Sequence, residues 1–185
     1  MTLICLWTGT KYPFEYVEKL WRGVDRFTTI PFKKRVITKA DFPGWWQKLL
    51  IFPPNDRTVF LDLDVVITGN VDFLFEYEGQ FCMWGDPWNG KYNSSVMSIA
   101  PGFGLEIRDE FLNDPKLVMN NFHGDQEFIS SIIHKIDTWQ EIALGRIKSY
   151  KADNLLDGPQ GASIVVFHGE PKPHELGGWV RDYWI

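Results

Sequence analysis

Apolar and polar positions along the chain change period several times, and each change predicts an element. Leu3 to Trp7 is a short apolar run that stops at Thr8-Gly9-Thr10-Lys11. After it, Tyr16, Leu20, Val24 and Phe27 recur at three- and four-residue spacing, which predicts a strand, a polar glycine loop and a helix. Arg35 to Thr38 reads as the next strand, and Trp46 to Phe52 as a short helical or extended segment before Pro53-Pro54. Val59 to Thr68 reads as one buried strand that breaks near its C-terminal end, because it is rich in β-branched residues and flanked by Asn55-Asp56 and Gly69-Asn70. Further strands are predicted over Gln80 to Trp84, Ser95 to Ala100, Ile147 to Tyr150 and Ala162 to Phe167. Helices are predicted over Leu105 to Leu112 and Asp125 to Ile136, the second with Phe128, Ile132, Ile133 and Ile136 as its apolar stripe. Strands and helices alternate at first and mix later, so the expected fold is an α/β/α sandwich with a mostly parallel mixed sheet.

The Val59–Thr68 run contains two charges, Asp62 and Asp64, in otherwise almost wholly apolar surroundings. On an extended backbone, residues two apart point the same way, so the two carboxylates share a face while Leu63 turns to the core. Like charges in a poorly hydrated place repel unless a cation or protons lie between them. Hard oxygen ligands favour Mg²⁺ or Mn²⁺, ions that commonly bind a few carboxylates together with substrate phosphates. The alternative is a pair of strand-end acids, one capping a turn and one solvated. The strand–loop–helix opening is that of a nucleotide-binding α/β unit, which makes Thr8 to Tyr12, with Thr8, Gly9, Thr10 and Tyr12, candidate nucleotide contacts.

The chain has 185 residues, enough for a single domain over 1–185 with a substantial core and no linker dividing it. A net charge of −5 supplies no basic footprint for nucleic acid. Anionic ligands therefore need local cations or a metal. No run is apolar enough to span a bilayer and the N-terminus lacks a basic leader, so a cytoplasmic protein without a transmembrane segment is expected. Cys5 and Cys82 sit in apolar runs and read as buried free thiols. Nine tryptophans exceed ordinary usage. For Trp45, Trp46, Trp84 and Trp88 taken singly, packing is favoured over ligand stacking.

Four motifs carry a resemblance over nearly the whole chain. Phe60-Leu61-Asp62-Leu63-Asp64 is similar to a DxD motif, and Tyr92-Asn93-Ser94-Ser95-Val96-Met97 to an Asn-Ser-Gly-Val strand. Gly124-Asp125-Gln126 is similar to a Gly-Asp-Gln turn, and Phe167-His168-Gly169-Glu170-Pro171-Lys172-Pro173 to a C-terminal His-x-Gly-x-x-Lys-Pro segment. In this order they resemble the GT-A glycosyltransferases, most closely the retaining group, family 8, of glycogenin and the bacterial lipopolysaccharide galactosyltransferases. The chain departs from that pattern at Ser95, where the family has glycine.

The resemblance implies a hexosyltransferase that uses a UDP-sugar donor, UDP-glucose or UDP-galactose, with Mn²⁺ or Mg²⁺ held by Asp62, Asp64 and His168 and with retention of configuration. The acceptor, whether glycan, lipid or protein, is left open. His168 ends an apolar strand and a neutral imidazole is a competent third metal ligand. Lys172, between two prolines, can give a diphosphate a fixed positive charge. The family's donor contacts map to Lys48, Leu63, Asn93, Gly124 and Gly169 beside the residues already named. Asp125 and Gln126 fall nearest the reacting carbon as candidate catalytic residues, and Asp125 also reads as a helix N-cap. A family member of this short length implies an open acceptor cleft or a partner that completes it. Two alternatives remain: a non-catalytic carbohydrate-binding module, and a phosphatase of the haloacid dehalogenase type built on Asp62-Leu63-Asp64-Val65. The second lacks the later Gly-Asp-x-x-x-Asp that such a site needs.

Overall fold

The computed structural model describes residues 1–9, 11–88 and 90–185. β1 (Thr2–Leu6) is extended and buried, and α1 (Glu15–Phe27) follows, with Tyr16, Val17, Leu20, Gly23 and Val24 on its buried side. β2 (Lys33–Ile37) and a 3-10 helix over Gly44–Ile51 come next. β3 (Thr58–Leu61), β4 (Val65–Ile67), α2 (Phe73–Glu76), β5 (Phe81–Gly85) and β6 (Tyr92–Ile99) form the middle of the chain. Then come α3 (Leu105–Asn113), α4 (Pro115–Asn121), α5 (Asp125–Ile132), β7 (Asp137–Thr138) and α6 (Trp139–Ile142). β8 (Ile147–Ser149), β9 (Ile164–Val166), a 3-10 turn over Pro173–Glu175 and α7 (Trp179–Tyr183) finish it.

The large sheet has six strands in the order β2-β1-β3-β6-β5-β7. β1 is parallel to β2 and β3, β5 is parallel to β7, and β6 runs against both of its neighbours. The sheet is thus mixed and mostly parallel, as expected. A second sheet, β4-β9-β8, packs against α1 and α7. Alternation along β1 shows the layering: Leu3 and Cys5 join the core shared with α1 and the small sheet, while Ile4 joins the core under α3 and α5. Burying both faces explains why these strands read as continuous apolar runs.

The Val59–Thr68 run is two strands in two sheets, a correction to the single strand expected. Asp62 N–H still donates to Ser95 O at 2.9 Å beside β6, whereas Asp64 O accepts from Phe167 N–H at 3.0 Å beside β9. The chain changes sheet across Asp62-Leu63-Asp64. Because β3 and β4 are each wholly buried, apolar composition continues through the switch and conceals it.

The helix expected to reach Ile136 ends at Ile132, with Ile133 extended behind it. Ser130 and Ser131 donate to the carbonyls of Gln126 and Phe128 at 2.6 and 2.7 Å, competing with the helical ladder. Ile136 is buried from the following segment instead. The N-cap of α5 is Gly124, so Asp125 is the first helical residue and caps nothing with its side chain. Cys5 and Cys82 are free and buried, and burial pushes the Cys5 thiol up to about 12. Among the described residues no helix is long and apolar enough to cross a membrane.

Candidate active site

The loop after β1, the Asp62–Asp64 switch, the start of β6, the start of α5 and the segment after β9 are joined by side-chain contacts at one end of the two sheets. Backbone dictates much of this. Tyr12 O accepts from Trp7 Nε1–H at 2.9 Å, which folds the β1–α1 loop back on itself, and Tyr12 stacks on Tyr16 with ring centroids 4.4 Å apart. Tyr12 then donates its hydroxyl to Asp64 Oδ2 at 3.0 Å. Burial first, and then the Asp64 carboxylate, push the Tyr12 phenol well above its ordinary range. Thr8 and Gly9 lie in the same loop, Gly9 at φ +101°, and Thr10 lies outside the described residues.

Each aspartate of the pair is held by a lysine. Lys48 Nζ lies 2.9 Å from Asp62 Oδ1 and donates to Ser94 Oγ at 3.0 Å. It stands 4.0 Å from Asp125 Oδ2, an atom sealed from solvent that accepts no hydrogen bond among the described residues. Lys48 is 5% exposed, so one buried ammonium serves two carboxylates. Burial opposes charging of that ammonium, and Asp62 and then Asp125 outweigh it, leaving its pKa raised. Burial also raises the Asp62 carboxyl, against the pull of Lys48 and with reinforcement from Asp64.

Lys172 Nζ lies 2.6 Å from Asp64 Oδ2 and donates to Phe167 O at 2.9 Å. Asp62 and Asp64 interact with each other on either side of the buried Leu63, and each turns to its own lysine. Leu63 is buried in the core, so a ligand contact from it comes through its backbone.

Asn93 is buried, and its Oδ1 accepts from Ser95 N–H at 2.9 Å, within the stretch of β6 where pairing with β5 shifts register and at the position that departs from the family pattern. Gln126 Oε1 faces Ser94 N–H at 3.4 Å. Gly124 is extended, and a Cβ there would meet the Trp45 indole Nε1 at 3.3 Å. Gly169 has φ +71°, a left-handed conformation that favours glycine.

His168 is half-buried. Its Nε2 lies 2.6 Å from Ser149 Oγ and accepts from Trp88 Nε1–H at 3.3 Å, while the ring meets Trp84 edge-on. Burial holds its pKa below the ordinary histidine value. In kind, two carboxylates and a neutral imidazole fit a hard divalent cation. In position, no three carboxylate, imidazole or thiol groups converge on one point among the described residues. Lysine ammoniums stand against the carboxylates, and Nε2 of His168 faces Ser149 and Trp88.

The sequence reading missed Ser94 and Ser149. Ser94 sits inside a quoted motif, whereas nothing in the sequence marks Ser149. The packing expected of Trp46 and Trp84 is found, but Trp45 and Trp88 are 52% and 63% exposed. A cavity of about 420 Å³ borders the site through Tyr12 and Pro173, and is lined by Lys11, Lys19, His174 and Arg181.

No protein-family model matches this chain, and no curated protein matches it. Solved structures do match in fold. The glycosyltransferase GlyE of Streptococcus pneumoniae TIGR4 superposes with a TM-score of 0.68 at 17% identity, covering 99% of this chain and 59% of that one. A glycosyltransferase involved in glycosylation of the major capsid of PBCV-1 gives 0.65 at 13% identity, covering 91% and 94%. The galactosyltransferase LgtC, solved with donor and acceptor sugar analogues, gives 0.62 at 10% identity, covering 94% and 89%. The chain spans about 59% of the length of the GlyE structure. It has the GT-A fold of these glycosyltransferases.

Proposed function

We propose that this chain is a hexosyltransferase that takes glucose or galactose from a UDP-sugar and passes it to an acceptor with retention of configuration. The observation that carries the reading is the joining of Asp62, Asp64, Lys48, Lys172, Asp125 and Gln126 by side-chain contacts at one end of a GT-A fold, with His168 next in the chain to Phe167, whose carbonyl holds Lys172. A phosphatase of the haloacid dehalogenase type needs a different fold.

In this reading the β1–α1 loop, from Thr8 to Tyr12, receives the nucleotide. Lys172 exchanges Asp64 for the diphosphate, placing its charge where negative charge grows as the glycosidic bond breaks. Gly169, whose missing side chain lets Lys151 Nζ lie close to its backbone, would bring a second cation toward the phosphates. Asp62, Asp64 and His168 would hold Mn²⁺ or Mg²⁺, which when bound neutralises charge on the leaving diphosphate.

Lys48 acts through others: it fixes Asp62 and Asp125, and so holds Asp125 in a set orientation beside Gln126. Asp125, whose Oδ2 is turned inward to Lys48, and Gln126 would present an acceptor-and-donor pair for sugar hydroxyls. Gln126 is a poor nucleophile, so the departing phosphate itself takes the acceptor's proton on the same face. A cytoplasmic site of action belongs to the same reading.

The test is proton NMR of the reaction. UDP release from UDP-glucose or UDP-galactose with Mn²⁺, giving an α-anomeric product and falling by about 10²- to 10³-fold in Asp64→Ala, is the expected result. A β-anomeric product refutes retention, and full activity in Asp64→Ala refutes the site.

A further inference from the structure

We infer that Lys151 is a second phosphate-binding cation of the donor site and selects a nucleoside diphosphate over a monophosphate; the inference rests on the proposed transferase reading. Lys151 lies outside the four motifs and is exposed. A solvated surface role is the ordinary one for such a lysine. This one is distinguished by where it stands.

Strand register carries Lys151 to the site. β8 runs parallel to β9 with Ser149 opposite Val166, so Lys151, two residues further on, comes level with His168. Tyr150 N–H donates to Val166 O at 3.1 Å and the Tyr150 ring stacks on Phe167 with centroids 4.7 Å apart, which keeps the two segments together past the strand ends. The turn beyond is fixed as well, since Ser149 N–H donates to Asp153 Oδ2 at 2.7 Å and Asn154 N–H to Lys151 O at 3.2 Å. Lys151 Nζ then stands 2.8 Å from the point that a Gly169 Cβ would occupy, so the missing side chain is what leaves room for it. Burial first, and then the Lys151 charge, keep the His168 pKa low, which puts the ammonium within electrostatic reach of that ring. Lys172 reaches the same stretch of chain, donating to Phe167 O at 2.9 Å. Two ammoniums thus meet the three residues Phe167, His168 and Gly169.

Charge balance selects the ligand. Asp62, Asp64 and Asp125 face two cations, and both are engaged: Lys48 Nζ lies 2.9 Å from Asp62 Oδ1 and 4.0 Å from Asp125 Oδ2, and Lys172 Nζ lies 2.6 Å from Asp64 Oδ2. One carboxylate is in excess, so a diphosphate entering here meets net negative charge from these five groups. Lys151 makes no ion pair and no hydrogen bond among the described residues. Its ammonium can take a phosphate without giving up a carboxylate, whereas Lys172 must first exchange Asp64. A lysine ammonium binds phosphate as a compact point charge, one centre to one group. Two such centres on one short stretch of backbone match two linked phosphates, and a monophosphate has only one group to offer them.

The experiment is isothermal titration calorimetry of the whole chain with UDP and with UMP, each in the presence of Mn²⁺, for the unaltered protein, Lys151→Ala, Lys151→Arg and Lys148→Ala. Lys148 is the control, a lysine on β8 whose ammonium donates to Gln160 O at 2.9 Å. Lys151→Ala is expected to weaken UDP by about tenfold and UMP by less than about twofold. Lys151→Arg, which keeps the charge, is expected to stay within about threefold of the unaltered chain for UDP, and Lys148→Ala within about twofold. An unchanged UDP affinity in Lys151→Ala overturns the inference. So does an equal loss for UDP and UMP, or a loss in Lys148→Ala as large as that in Lys151→Ala, either of which makes the effect one of general charge. No binding of UDP by the unaltered chain overturns the transferase reading itself, and the role of Lys151 with it.

Discussion

Lys172 Nζ lies 2.6 Å from Asp64 Oδ2, so the segment after β9 is pinned to the switch between β3 and β4 by an ion pair whose side chains are 6% and 14% exposed. Removing one partner of such a pair leaves the other charge with little water to replace it. Lys172→Ala is expected to lose about 2 to 3 kcal/mol in urea unfolding at neutral pH. A loss within about 0.5 kcal/mol would mean that Asp64 rehydrates freely and that the pair is a surface contact.

Lys48 has more to hold. In Lys48→Met, Asp62 and Asp125 would face each other without a cation, and the expected loss is about 3 to 5 kcal/mol at pH 7. Asp62 already has a raised carboxyl pKa, from burial and from Asp64. A raised folded pKa contributes stability that is present below the unfolded carboxylate value and lost as pH rises through the folded one. The deficit of Lys48→Met should therefore shrink as pH is lowered from 7 toward 4. A deficit that is constant over that range contradicts the shared role of Lys48.

Asp72 titrates in the opposite sense. It accepts from Thr28 Oγ1–H at 2.5 Å, Thr29 N–H and Thr29 Oγ1–H at 2.8 Å, and Asn70 Nδ2–H at 2.7 Å, tying the end of α1 to the start of α2. Burial raises its pKa, and these bonds outweigh burial and hold it well below the usual carboxylate range. Its contribution is present above the unfolded carboxylate pKa and lost as pH falls toward the folded one. Asp72→Asn is expected to lose about 2 to 3 kcal/mol at pH 7 and to show a shallower acid limb in a stability–pH profile. An unchanged acid limb would assign acid sensitivity elsewhere.

Ser149 is a positioning residue for His168. Ser149→Ala removes the hydroxyl 2.6 Å from Nε2 and a bond from Ala152 N–H, a loss of about 1 kcal/mol in stability. In the transferase reading it also changes the Mn²⁺ concentration for half-maximal UDP release, because Nε2 loses one of the two groups that face it. An unchanged metal requirement, with the small stability loss present, would leave Ser149 a purely structural role.

Much of the frame was legible because local periodicity and tertiary burial agree there: β1, α1 and β6 lie close to where alternation and helical spacing put them. The sheet switch at Asp62–Asp64 was not legible, since β3 and β4 are equally apolar while pairing with different sheets. α2, α6 and α7 have four or five residues each, too few for a periodic signal. Asp62, Asp64, His168 and Lys172 were marked by motif, and Lys48 by resemblance alone. That Lys48 is buried between two carboxylates, and that Ser149 faces His168, depends on chain segments far apart in sequence. Trp45 and Trp46 are adjacent and alike in composition, and the 3-10 turn alone decides which one faces water.

The most direct test of the account is the thermal stability of the purified chain with UDP, with and without Mn²⁺, compared with Asp64→Ala. At a UDP concentration about a hundred times its Kd, binding adds about 2.7 kcal/mol, which predicts a rise in Tm of roughly 5 to 10 °C that requires metal and is absent in Asp64→Ala. No response to UDP under either condition, or an equal response in Asp64→Ala, would contradict the donor site.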